Sequence, residues 1–134
     1  MTAIVRYNSY SRDFASIPYS VSGTLAVGSG TSRLFFGQDV TIRRIHASVG
    51  TAPTGASIII DVNKNGTTIF TTQANRPTIA VSTFYDISNL PDVTSVSSTD
   101  YLTIDVDQVG STVKGADLVV LIDYTISSKT YGYS

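Results

Sequence analysis

Tyr101-Leu102-Thr103-Ile104-Asp105-Val106-Asp107 alternates without a slip: Leu102, Ile104 and Val106 fall on one side of an extended chain, and Tyr101, Thr103, Asp105 and Asp107 on the other. Such a segment folds as a sheet with one dry face. Ser57-Ile58-Ile59-Ile60-Asp61-Val62 places Ile58, Ile60 and Val62 on one face, and Ile59 with Ser57 and Asp61 on the other. It runs into Asn65-Gly66, the strongest short hairpin signal, because a type I′ turn needs positive φ at both central residues. Thr67 to Thr72 is the predicted return strand. Further strands are expected over Ser20 to Val27, Arg33 to Phe36, Val40 to Val49, Ile79 to Ile87 and Asp117 to Ile126, each bounded by Gly, Pro, Asn or Ser. That makes about eight.

Within Val40 to Val49 the alternation slips, with Val40 and Ile42 on one face and Ile45, Ala47 and Val49 on the other. Either a bulge at Arg43-Arg44 or a strand covered on both sides accounts for it. No segment sustains a capped 3.6-residue period, so helix is limited to a short turn around Asp92 to Ser98. Val, Ile and Thr supply about a third of the 134 residues, and Ser with Thr over a quarter, the composition of half-wet pleated surfaces. Eight short antiparallel strands are too many for one flat sheet and imply two packed ones. The expected fold is all-β: a jelly-roll sandwich, with another β-sandwich topology as the alternative.

Three regions are expected. Residues 1–19 hold Arg6, Tyr7, Tyr10, Arg12, Phe14 and Tyr19 without clear alternation, and read either as a partner-binding arm or as a disordered terminus. Residues 20–127 form the sandwich, and 128–134, with Tyr131 and Tyr133, a tail. Tyr and Arg commonly anchor interfaces.

The chemistry available is narrow. There is no Cys and no Trp, one His, and all ten acids are Asp. Thiol nucleophiles, disulfides, thiolate metal sites and Glu-based acids or bases are therefore excluded. A formal net charge of -1 argues against a nucleic-acid partner held through its phosphates. Arg43-Arg44 is the one adjacent basic pair, and strand geometry should split it between two faces. No signal-peptide pattern or apolar run of membrane length is visible, so a soluble protein without a membrane partner is expected.

Several constellations carry some chemistry. Asp61-x-Asn63-x-Asn65-Gly66 matches the first six positions of a calcium loop, but Thr72 stands where the bidentate carboxylate should be, and the hairpin explains Asn-Gly. No metal or cofactor is expected. Asp105 and Asp107 share a strand face about 7 Å apart, reading as an ordinary wet surface before a catalytic pair. His46 alternates with Arg44 and Ser48 and should face solvent or a subunit boundary. No serine lies in a G-x-S-x-G context. Gly28-Ser29-Gly30 reads as a loop rather than a phosphate cradle, and Asn65-Gly66-Thr67 fits a glycosylation sequon that means nothing without secretion. No catalytic residue is assigned.

The segments Val49 to Ala56, Ile58 to Ile79, Pro91 to Val96, Asp100 to Ser111 and Gly115 to Leu118 resemble a β-sandwich module of bacteriophage virion proteins, covering about residues 22 to 125. The family comprises head decoration or cement proteins and tail accessory proteins, in which the module is a structural or adhesion unit without catalytic residues. The resemblance implies a non-enzymatic virion protein, made in the bacterial cytoplasm. With a short aromatic, basic arm in place of a long tail-protein chain, it points to a cement protein on the capsid surface. That protein would be a trimer binding the major capsid protein, with Arg6, Tyr7, Tyr10, Arg12, Phe14, Tyr131 and Tyr133 as contacts. The alternative is a tail or fibre module binding a host-surface glycan through Tyr85, Tyr101, Asp105 and Asp107, an idea weakened by the lack of Trp. A hydrolase is a third reading, without a coherent nucleophile.

Overall fold

A computed structural model describes residues 14–126. Eleven strands follow in order: β1 Phe14–Thr24, β2 Gly28–Ser29, β3 Leu34–Phe35, β4 Val40–Ser48, β5 Ile58–Lys64, β6 Thr67–Thr68, β7 Thr78–Ile79, β8 Tyr85–Ile87, β9 Ser95–Val96, β10 Tyr101–Gln108 and β11 Ala116–Ile126. One sheet runs β1-β11-β4-β8 with β9 also on β4; the other runs β2-β10-β5-β6 with β3 on β10 and β7 on β5. All pairings between these strands are antiparallel.

The eleven segments occupy eight positions, because β2 with β3, β6 with β7, and β8 with β9 each share one neighbour strand. Pairing then nests: β1 with β11, β2/β3 with β10, β4 with β8/β9, and β5 with β6/β7. This is one long hairpin wound into two sheets, the expected jelly-roll. Its innermost turn is Asn65-Gly66, with φ of 51° and 89°, as a type I′ turn requires.

The inner faces meet in one apolar layer. Ile45 lies opposite Ile122 and Ala47 opposite Val120 in the first sheet, while Val62 pairs with Ile104 and Ile60 with Val106 in the second; all are buried. The bulge at Arg43-Arg44 is present: the β4·β11 register slips between Asp123 and Tyr124, so Val40, Ile42, Ile45 and Ala47 all reach the same core.

Several expectations are corrected. Residues 14–19, expected to belong to an arm, are strand, because Phe14 to Val21 pair continuously with β11 from Thr125 to Leu118. Ile17, Tyr19 and Val21 face inward against the core, and Pro18 is tolerated because β1 is an edge strand. The return strand after Asn65-Gly66 stops at Thr68, since Ile69 and Phe70 turn into the core, both fully buried. Ile79 to Ile87 is not one strand: β7 belongs to the second sheet and β8 to the first, and the chain changes sheet through a turn holding Ser82 at φ 62°. The helical turn lies at Gln73–Asn75, and Asp92 to Ser98 contains β9.

Gly28-Ser29-Gly30 is likewise a strand and not a loop at its first two residues. Gly30 follows so close to β10 that a Cβ there would fall 2.1 Å from the Ile104 carbonyl oxygen.

Phe70 is among the largest fully buried side chains, so Phe70→Ala should cost about 3–5 kcal/mol of stability in denaturant unfolding. A loss below about 1 kcal/mol would place Phe70 outside the core.

Candidate functional site

The outer face of the first sheet holds the richest side-chain cluster. Alternation should split Arg43 and Arg44, yet the β4 bulge interrupts it and both are exposed. Just beyond, the Ile45 amide donates to Ser88 Oγ at 3.1 Å, and the Ser88 amide donates to the Ile45 carbonyl at 2.8 Å. Ser88 is buried and serves as the partner that β8, ending at Ile87, does not supply. Arg43, Arg44, Ile87, Ser88, Asn89, Leu90 and Asp123 line an open groove of about 700 Å³ there. The phase slip in Val40 to Val49 was its only trace in the sequence.

Asp123 is the hub beside the groove. One oxygen accepts from Ser16 Oγ at 2.6 Å, and the other lies 2.7 Å from His46 Nε2. The Tyr85 ring stacks near His46, with centroids 6.4 Å apart and 30° between planes. Serine, histidine and aspartate thus come together, but the carboxylate sits between the other two. A nucleophilic serine needs its hydroxyl on the imidazole, so this order does not activate Ser16.

The outer face of the second sheet is polar and internally bonded. Asp105 accepts from Asn63 Nδ2 at 2.6 Å and from the Gly30 amide at 3.2 Å. Asp107 is the extra residue in a second bulge, between Val106 and Gln108, and pairs with Arg76. Tyr101 carries the Arg33 guanidinium 4.4 Å from its ring centroid and Phe35 at 5.8 Å. Tyr85 belongs to the other sheet, so Tyr85, Tyr101, Asp105 and Asp107 do not form one patch.

The calcium-like positions diverge. Asp61 accepts from the Val62 amide and from Thr68 Oγ1, Asn63 donates to Asp105, and Asn65 Nδ2 donates to Asp100. Among the described residues no three His or Asp side chains are grouped to hold a metal. Burial raises the Asp61 carboxyl above its ordinary value, against the lowering effect of the Thr68 and Val62 hydrogen bonds. Asp92 is lowered chiefly by the Thr72 amide, and Asp100 by Asn65 and the Ser97 amide.

Arg6, Tyr7, Tyr10, Arg12, Tyr131 and Tyr133 lie outside the described residues. Phe14 opens β1 opposite Thr125, next to the end of β11 at Ile126. The segments before Phe14 and after Ile126 therefore attach at the same end of the first sheet.

No protein-family profile matches the chain, and no curated protein matches it in sequence. Among solved structures, it is similar to the capsid asymmetric unit of cyanophage Pam1, at 12% identity and TM-score 0.49 over 85% of this chain and 84% of that one. It is similar to the catalytic unit of a GH87 alpha-1,3-glucanase from Streptomyces thermodiastaticus strain HF3-3, at 16% identity and TM-score 0.48 over 90% of this chain but 27% of that one. The Tobacco streak virus coat protein follows at 6% identity and TM-score 0.36, over 89% of this chain and 90% of that one.

Two outcomes test these roles. Ser88→Ala leaves the buried Ile45 amide without a partner and should cost about 1–3 kcal/mol in chemical unfolding; an unchanged midpoint would mean the bond contributes nothing. Because the folded-state pKa of Asp61 is raised, its ionisation opposes folding. Its contribution is present below the unfolded-state value and lost as pH rises through the folded one. Asp61→Asn, which keeps the acceptor oxygen, should match or exceed the parent's stability at pH 7 and lose this advantage near pH 3. A variant weaker at pH 7 than at pH 3, relative to the parent, would reverse the sign.

Proposed function

We propose that this chain is a non-enzymatic bacteriophage virion structural protein: a decoration or cement protein that binds the lattice of the major capsid protein and stabilises the head. It acts as a trimer at the capsid surface. The observation that carries the reading is that the segments before Phe14 and after Ile126 join the same end of the first sheet, since Phe14 lies opposite Thr125. In this proposal the segment holding Arg6, Tyr7, Tyr10 and Arg12, which joins the sheet at Phe14, and the segment holding Tyr131 and Tyr133, which follows Ile126, engage one neighbour.

The sequence resemblance over about residues 22 to 125 supports the same reading. So does the jelly-roll itself, in which Ser16, His46 and Asp123 are joined in an order that does not activate a nucleophile. A shell under internal pressure gains when many small subunits each bury interface across its seams. The glycan-binding alternative loses its patch, because Tyr85 and Tyr101 lie on different sheets.

Deleting residues 1–13, which spares β1, should leave unfolding unchanged and abolish binding to undecorated heads in a co-sedimentation assay. Full occupancy by the truncated chain would refute the role given to the N-terminal arm.

A further inference from the structure

We propose that the groove at the β4 bulge is a second binding site, for an acidic peptide segment of a partner protein that sets carboxylates against Arg43 and Arg44 and an apolar side chain on Ile87 and Leu90. The groove is large enough, since about 700 Å³ lies within the ordinary range of ligand sites. Its electrostatics are specific. The bulge brings Arg43 and Arg44, both exposed, into the lining of one groove on a chain of formal net charge -1. Arg44 faces Asp123 across the ladder, but the hydrogen bonds of that carboxylate run to Ser16 and His46. The planar guanidinium fork suits carboxylates, which it binds through two parallel hydrogen bonds.

The β8 ladder covers β4 at His46 to Ser48, and the β9 ladder covers Val40 and Thr41, so Arg43 and Arg44 lie between the two. Leu90, at 62% exposure, adds an apolar residue to the lining, and Asn89, whose Nδ2 donates to Asn75 Oδ1, a polar one. A peptide fits this lining better than a sugar, because no aromatic ring lines the groove to stack on a sugar face. Two arginines are too few to track a nucleic-acid backbone. The inference does not require the partner to be a capsid protein.

The test uses the full chain, labelled with nitrogen-15, and three probes: an Asp-Leu-Asp-Leu-Asp peptide blocked at both ends, its Asn-Leu-Asn-Leu-Asn counterpart, and polygalacturonate. The acidic peptide should move the amide resonances of Arg43, Arg44 and Ser88 to Leu90 in a saturable way. Affinity should fall about tenfold or more for the neutral peptide and for the Arg43→Gln/Arg44→Gln variant, and stay unchanged in Lys114→Gln. Dispersion of the amide spectrum checks that the double variant folds, and Arg44→Gln alone serves if it does not. Shifts away from the groove, equal binding by the double variant, or saturation by polygalacturonate without peptide binding would each overturn the proposal. No capsid enters the assay, so its result is separate from the fate of the cement-protein reading.

Discussion

The apolar layer between the two sheets is what the remaining structure depends on. With no Cys for disulfides and no grouped metal ligands among the described residues, burial has to carry this fold. Four long strands do most of it. The β4·β11 ladder presents Ile45, Ala47, Val120 and Ile122, and the β5·β10 ladder answers with Ile60, Val62, Ile104 and Val106. Fully burying each of the Ile and Val side chains among them contributes about 1.5–3 kcal/mol before conformational entropy is subtracted.

That layer also decides where function can sit. The inner faces are committed, so partners meet outer faces, edges or chain ends. At three places the ladders slip by one residue: β1 between Val21 and Thr24, β4 at Arg43-Arg44 and β10 at Asp107. Each slip re-aims polar groups while the core strip continues beneath it. On β10 the displaced Asp107 is neutralised by Arg76, and near β1 the Asp117 carboxylate takes the Gly23 amide. The β4 slip places Arg43 and Arg44 in the lining of an open groove, where the Asp123 carboxylate is bonded to Ser16 and His46.

Much of this was legible in the residues. The alternation of Tyr101 to Asp107 and the Asn65-Gly66 turn are local signals that tertiary packing leaves alone, and both read correctly. The β4 bulge was visible as a break in phase, but not its effect on Arg43 and Arg44, because the alternation rule that splits adjacent residues fails at the bulge itself. Ile17, Tyr19 and Val21 do alternate with Ser16, Pro18 and Ser20; Pro18 hides the pattern, since only topology shows that β1 is an edge strand. Thr67 to Thr72 and Ile79 to Ile87 looked like whole strands because apolar residues entering the core from turns have the same composition as those on strands. Ser88 left no mark, because a hydroxyl replacing a ladder partner cannot be distinguished in sequence from any other serine.

The proposal of a head-surface subunit engaged through the segments that flank Phe14 and Ile126 can be tested on the intact particle. Cryo-electron microscopy of intact virions tests it most directly, by counting copies and locating the end of the first sheet where Phe14 and Ile126 lie. The account predicts many copies over the shell, with that end turned toward the capsid subunits and residues 1–13 ordered between them. A few copies confined to the tail tip, with that end facing solvent, would contradict it.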